Sequence, residues 1–304
     1  MDASRLSWIF GSSRSGSSWL LRMLSELPGV TGVDDPHLGH HLGVWRPIAL
    51  AWATATEEPR LKTLAEAQAE AGNDSYFFSE RFRDAWDPAL RELISARFEA
   101  QASATGGSTA DGGSIVVKEP GSHVADLLLS LFPESRLIFL VRDGRDVIDS
   151  WLAAYRPDTW AIEQGAYPVA PWGRLPLIRW LSSVWVYRMG VVGKAYGDHP
   201  AERRIMVRYE ELRGATAEEV GAICRAAGLD VDEATLRRIT ERHAFERVPD
   251  EERGQEHAIR SATSGGWREN LSELEQQAMH DVMGETLDRL GYLEGGAPVK
   301  AFAS

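Results

Sequence analysis

Leu6-Ser7-Trp8-Ile9-Phe10-Gly11-Ser12-Ser13-Arg14-Ser15-Gly16-Ser17-Ser18-Trp19 passes from an apolar run, through a turn of small residues, into a helical pattern. The run Ser7–Gly11 reads as a buried strand, and residues 17 to 27 carry apolar side chains at helical spacing until Pro28-Gly29 stops them. Between the two, glycine and serine let the backbone wrap tightly, so that its N–H groups converge at a helix N-terminus. Together with the helix dipole they form an anion site. The hydroxyls of Ser17 and Ser18 add donors, and Arg14 adds a permanent, forked positive charge. The plain alternative is a Gly/Ser turn that does no more than cap a helix.

Three further β-branched or aromatic runs, Ser114–Lys118, Arg136–Arg142 and Arg204–Tyr209, read as buried strands. Helical patterns alternate with them over residues 122–132, 143–155, 175–196, 216–227, 232–243 and 272–290. This alternation predicts one α/β domain over residues 1–304, a P-loop-like central parallel β-sheet flanked by helices. Two regions break the rhythm. Residues 34–113 show no clear strand and end in a Gly/Ser/Thr-rich tail, and residues 156–176 are rich in Pro, Trp and Gly. Both are expected to be helical and loop insertions over the site, on the acceptor side.

Composition narrows the function. A net charge of −12 argues against general nucleic-acid binding, so an anionic ligand needs a local nest of donors. The single cysteine, Cys224, excludes an internal disulfide and lies in a helical pattern as packing. No stretch approaches the ~20 apolar residues of a membrane span, and no targeting segment stands out. The expectation is a cytoplasmic protein without membrane or nucleic-acid partners.

The P-loop nucleotidase signature, G-x-x-x-x-G-K-[ST], is met at Gly11 and Gly16, but Ser17 stands where its lysine belongs. Without that lysine a nucleotidase loses its hold on the β- and γ-phosphates. Arg14-Ser15-Gly16-Ser17-Ser18-Trp19 instead resembles the 5'-phosphosulfate loop, [K/R]-[ST]-G-[ST]-[ST], of sulfotransferases that use 3'-phosphoadenosine-5'-phosphosulfate (PAPS). The resemblance implies that Arg14, Ser15, Gly16, Ser17, Ser18 and Trp19 bind the donor, with Arg14 facing the charge that builds between sulfur and the leaving phosphate.

Other segments follow in the family's order. Arg142 ends a strand and Ser150 stands eight residues on, which in the family is the pair holding the 3'-phosphate. The simpler reading pairs Arg142 with Asp146 or Asp149. Arg260-Ser261-Ala262-Thr263-Ser264-Gly265-Gly266-Trp267 resembles R-K-G-x-x-G-D-W and implies Arg260 as a further 3'-phosphate ligand. Tyr209, in Tyr209-Glu210-Glu211-Leu212, resembles the strand-end tyrosine that reaches toward the adenine. The implied donor is PAPS and the product 3'-phosphoadenosine-5'-phosphate (PAP), with fixed cations and no metal.

Sulfuryl transfer to a hydroxyl needs a base, worth roughly 10²–10⁴-fold. Lys118-Glu119-Pro120 resembles the K-D-P of tyrosyl-protein sulfotransferases, whose lysine steadies the transferring group, and that role falls to Lys118. In those relatives the base is a carboxylate about 20 residues beyond the loop cation, where this chain has Asp35-Pro36-His37. Asp35 ranks first and His37 second, with Glu119 and His123 behind. Eleven tryptophans, five of them (Trp45, Trp52, Trp86, Trp160, Trp172) in or near the insertions, fit a hydroxyl-bearing small-molecule acceptor. A small-molecule kinase of the P-loop type and a catalytically silent nucleotide-binding relative are the competing readings.

Overall fold

The computed structural model describes residues 1–42, 61–105, 112–156, 159, 173–244, 247 and 264–293. Five parallel strands form one sheet in the order β2-β3-β1-β4-β5. They are β1 (Leu6–Gly11), β2 (Val30–Asp34), β3 (Ser114–Lys118), β4 (Arg136–Val141) and β5 (Arg204–Arg208). β1 lies between β3 and β4, so the chain leaves it in one direction for β2 and later returns on its other side. In open α/β sheets such a reversal opens a crevice beyond the carboxyl ends of the strands.

Strand period explains why both faces are covered. Leu6, Trp8 and Phe10 of β1 and Leu137, Phe139 and Val141 of β4 point to one side. Ile9, Ile138 and Leu140 point to the other. On the first face Trp8 and Phe139 pack in one core with Phe98 of α4 (Arg83–Ala104), Leu128 of α5 (Ala125–Leu131), Trp185 of α7 (Arg174–Asp198) and Met283 of α12 (Glu273–Arg289). On the second face α1 (Ser17–Ser25) and α9 (Thr216–Ala227) bring Leu20, Leu24, Ile223 and Cys224, and the cysteine is buried packing as expected.

The structure departs from the sequence reading in two places within the supposed insertion at 34–113. The strand β2 was not foreseen. Its alternation is half polar and broken by Gly32, and it pairs on one side only, with β3. The other is α4, 22 residues long, whose Trp86, Leu90, Ile94, Phe98 and Ala102 recur every fourth residue and are buried. This part of the region is a layer of the core rather than a lid. Trp86 therefore packs inside, while Trp45, Trp52, Trp160 and Trp172 lie outside the described residues. The short helices α2 (Leu38–Leu42) and α3 (Leu64–Glu70) flank residues 43–60, which the structure does not describe.

Candidate active site

Every strand delivers a candidate residue at its carboxyl end. β1 ends in the Ser12–Gly16 turn, β2 at Asp34 before Asp35, β3 at Lys118, β4 before Arg142 and β5 before Tyr209. Tyr209 is the first residue of a helix, α8 (Tyr209–Gly214), rather than the end of the strand.

The turn after β1 is held in an unusual conformation. Arg14 has φ 67° and Gly16, which caps α1, has φ 88°. A Cβ at Gly16 would stand 2.6 Å from the Tyr209 ring, so glycine is required by both conformation and space. Among the described residues the non-glycine positions with positive φ are Arg14, Asp35 and His37. All three were nominated from sequence as catalytic. Left-handed backbone at ordinary residues costs of order 1–3 kcal/mol and persists where surrounding contacts impose it.

Those contacts join the loop to the β4–α6 corner, where α6 spans Gly144–Ala154. Arg142 donates from Nη1 to the Arg14 carbonyl oxygen at 2.8 Å, and Arg14 donates from Nε to Ser150 Oγ at 2.9 Å. The Arg142 guanidinium lies 4.4 Å from the centre of the Tyr209 ring, favourable for a cation over an aromatic face. Arg14, Gly16, Arg142, Ser150 and Tyr209 thus meet in one place. Ser15 Oγ is buried with no hydrogen-bond partner among the described residues. Trp19 borders the same Tyr209 ring. Its indole N–H donates to the His243 carbonyl at 2.8 Å and its ring stands edge-on to Tyr209, so it supports that ring.

Asp146 and Asp149, the alternative partners of Arg142, both accept from the chain after residue 264. Asp146 takes the Gly265 N–H at 2.7 Å and Asp149 the Asn270 side-chain amide at 3.0 Å. Burial pushes the Asp146 carboxyl up from its usual value, against the pull of that N–H and of Arg142. α6 therefore anchors the segment that follows Arg260; Arg260 itself lies outside the described residues.

On the other side of β1, Lys118 is 6% exposed and gathers three partners. Its Nζ donates to Ser18 Oγ at 2.8 Å and pairs with Asp34 Oδ1 and Asp35 Oδ2, each at 2.7 Å. The other oxygen of Asp35, Oδ1, is buried and has no hydrogen-bond partner among the described residues. Asp34 was not singled out from sequence, because its role depends on β2 pairing with β3 in the register that sets it opposite Lys118.

The two lower-ranked bases are committed elsewhere. Glu119, 2% exposed, accepts the N–H groups of Leu38, Gly39 and Gly121 and so ties α2 to the loop after β3. Burial pushes its carboxyl up, and the three N–H groups pull it down. His123 is buried with Nε2 3.0 Å from the Gly39 carbonyl oxygen. His37 is exposed, and its ring centre lies 5.3 Å from that of His40. Beyond His123 a cavity of about 830 Å³ is lined by Leu42, Phe78, Trp86, Leu127 and Tyr187, among others. Among the described residues no group of three or more His, Cys, Asp or Glu has the arrangement of a metal site, and no helix is long and apolar enough to cross a membrane.

A family model described as the sulfotransferase family matches residues 8–233, which span β1, the anion loop, Lys118, Arg142 and Tyr209. The chain belongs to the sulfotransferase family. Its fold agrees. Mouse sulfotransferase SULT7A1, solved in complex with PAP, superposes with a TM-score of 0.53 at 12% identity, covering 93% of this chain and 85% of that one. Sulfotransferase STF9 from Mycobacterium avium gives a TM-score of 0.53 at 16% identity, covering 99% of this chain and 78% of that one. No curated protein matches in sequence. The chain carries the parallel sheet expected of a sulfotransferase, and its described candidate residues cluster around the carboxyl ends of the strands.

Proposed function

We propose that this sulfotransferase moves a sulfuryl group from PAPS to the hydroxyl of a small-molecule acceptor, releasing PAP. The observation that carries the reading is the joining of two anion-binding features. The strained loop at Arg14 is bonded directly to Arg142 and Ser150, and the Tyr209 ring lies beside both. One compact ligand bearing phosphate at both the 5' and 3' positions satisfies both features. ATP, which has no 3'-phosphate, leaves the Arg142 side unused.

In this reading the N–H groups of the turn, with Ser15, Ser17 and Ser18, hold the 5' end, and Arg142 and Ser150 hold the 3'-phosphate. Arg260 would join them, and Tyr209 would lie against the adenine. The donor supplies a sulfuryl group already attached to a good leaving group. Arg14 and Lys118 offset charge on either side of that group, as preorganised cations do most effectively in a partly dry site. Asp35 takes the acceptor's proton while Lys118 holds its Oδ2 in place. His37, exposed one turn from His40, is the second choice.

Calorimetric titration with PAP, beside ADP and Mg²⁺-ATP, tests the donor. Micromolar binding, about −8 kcal/mol, that requires the 3'-phosphate and no metal is the expected result. Binding of Mg²⁺-ATP alone would replace this reading with a kinase. For the base, Asp35→Asn should slow transfer by about 10²–10⁴-fold while leaving PAP affinity and the melting temperature near wild type. An unchanged rate would move the role to His37.

A further inference from the structure

Helix α7 brings one more cation to the loop. Trp185 of α7 is fully buried, and its ring lies so close to Gly144 that a Cβ there would approach to 2.7 Å. That face of the helix therefore looks onto the start of α6, at the carboxyl edge of the sheet. Arg188 follows three residues later on the same face. Its Nη1 donates to Ser13 Oγ at 3.0 Å, on the residue just before Arg14.

Besides Ser13, Arg188 stands near His40 of α2, Glu119 after β3 and Tyr155 after α6. Its charge acts on His40, whose proton affinity is lowered by burial, by His37 and by Arg188. Glu119 and Tyr155 in turn act on Arg188. Burial brings its guanidinium down to about 10, so it stays charged at neutral pH despite the cost of desolvation. The nearby carboxylate of Glu119 is already shared among three backbone N–H groups.

Three cations thus each donate to a serine hydroxyl at this site: Arg14 to Ser150, Lys118 to Ser18 beside its pairs with Asp34 and Asp35, and Arg188 to Ser13. A guanidinium bonds an anionic oxygen roughly twice as strongly as it bonds a neutral hydroxyl. We propose that Arg188 is a further catalytic residue, donating from its guanidinium to the non-bridging oxygens of the sulfuryl group as that group crosses from the loop to the acceptor. This rests on the PAPS reading. As the acceptor oxygen bonds to sulfur, the bond from sulfur to the bridging oxygen breaks. Its electron pair stays on the 5'-phosphate of PAP, and the hydroxyl proton passes to Asp35. Arg188 exchanges no proton and offsets the charge on the moving group.

Binding alone separates this role from others, because PAP lacks the sulfuryl group and PAPS carries it. Calorimetry of the full chain without acceptor should show Arg188→Gln binding PAP within about twofold of wild type. The same variant should bind PAPS about 10- to 100-fold more weakly, the loss of one charge-assisted hydrogen bond. Arg188→Lys should recover part of the PAPS affinity. Equal losses for PAP and PAPS would make Arg188 a support of the loop and overturn the proposal, as would no loss for either. A wild-type chain that binds neither ligand removes the donor reading, and this proposal with it. If Arg188→Gln fails to fold by thermal melting, Ser13→Ala and Arg188→Lys decide. Ser13→Ala, which removes that one hydrogen bond and keeps the charge, should preserve the preference for PAPS over PAP, and loss of that preference overturns the proposal.

Discussion

Arg142→Ala should weaken PAP binding by about 2–5 kcal/mol, a factor of roughly 30 to several thousand, measured by calorimetry at fixed ionic strength. Two losses combine in this figure. The first is the charge that the 3'-phosphate would meet. The second is local order, because Arg142 donates to the Arg14 carbonyl at 2.8 Å and covers the Tyr209 ring. Loss of that bond removes one contact that holds the left-handed backbone at Arg14, φ 67°. Arg142→Lys separates the two. It keeps a charge but not the forked geometry that can bond a carbonyl and a phosphate together, so it should recover only part of the affinity. Intact PAP binding in Arg142→Ala would remove the 3'-phosphate assignment. Loss of PAP and ADP affinity in equal measure would show that Arg142 serves the loop alone.

The parts of this site that were legible in the sequence are those carried by consecutive residues. β1 with its turn, and β4 with α6, each set a doubly buried apolar run directly against polar residues. The boundary between run and turn is where the chemistry lies. Arg14 and Arg142 could therefore be placed before their contact was known. The contact could not, because it joins residues 128 positions apart. Asp34 and Arg188 were missed for a related reason. Asp34 acts through the register of an edge strand whose five residues alternate only weakly, with Gly32 at its centre. Arg188 sits among apolar and aromatic residues of a long helix, and nothing adjacent to it distinguishes a solvated arginine from one docked on Ser13. α4 was readable in principle, since Trp86, Leu90, Ile94 and Phe98 mark one face. Pro88 and interleaved charges obscured the stripe. Tyr209 opens a helix rather than ending the strand, because a strand end and a helix start differ there by one residue.

Arg14→Ala should lower kcat by about 10²–10³-fold, the usual consequence of removing one preorganised donor from developing charge, while KM for the acceptor changes little. The argument turns on where the side chain is held. Arg14 Nε rests on Ser150 Oγ at 2.9 Å, at the seam between the two anion-binding features, whereas Asp35 and Lys118 stand on the far side of β1. An interaction made with the leaving side, and not with the acceptor, shows in turnover rather than in acceptor binding. Alanine at this position keeps the left-handed backbone no more easily than arginine, so the substitution does not relieve the loop and the effect is that of the charge. Arg14→Lys should restore part of the rate, since a point charge returns without the fork that reaches Ser150 and a phosphate oxygen together. Ser150→Ala provides the counterpart. If Ser150 only parks the arginine, its loss should leave kcat within a few-fold of wild type; if it also holds the 3'-phosphate, PAP affinity should fall as it does in Arg142→Ala. Single-turnover rates for Arg14→Ala that match wild type would place the leaving-group charge on Lys118 instead, and would leave Arg14 a binding residue only.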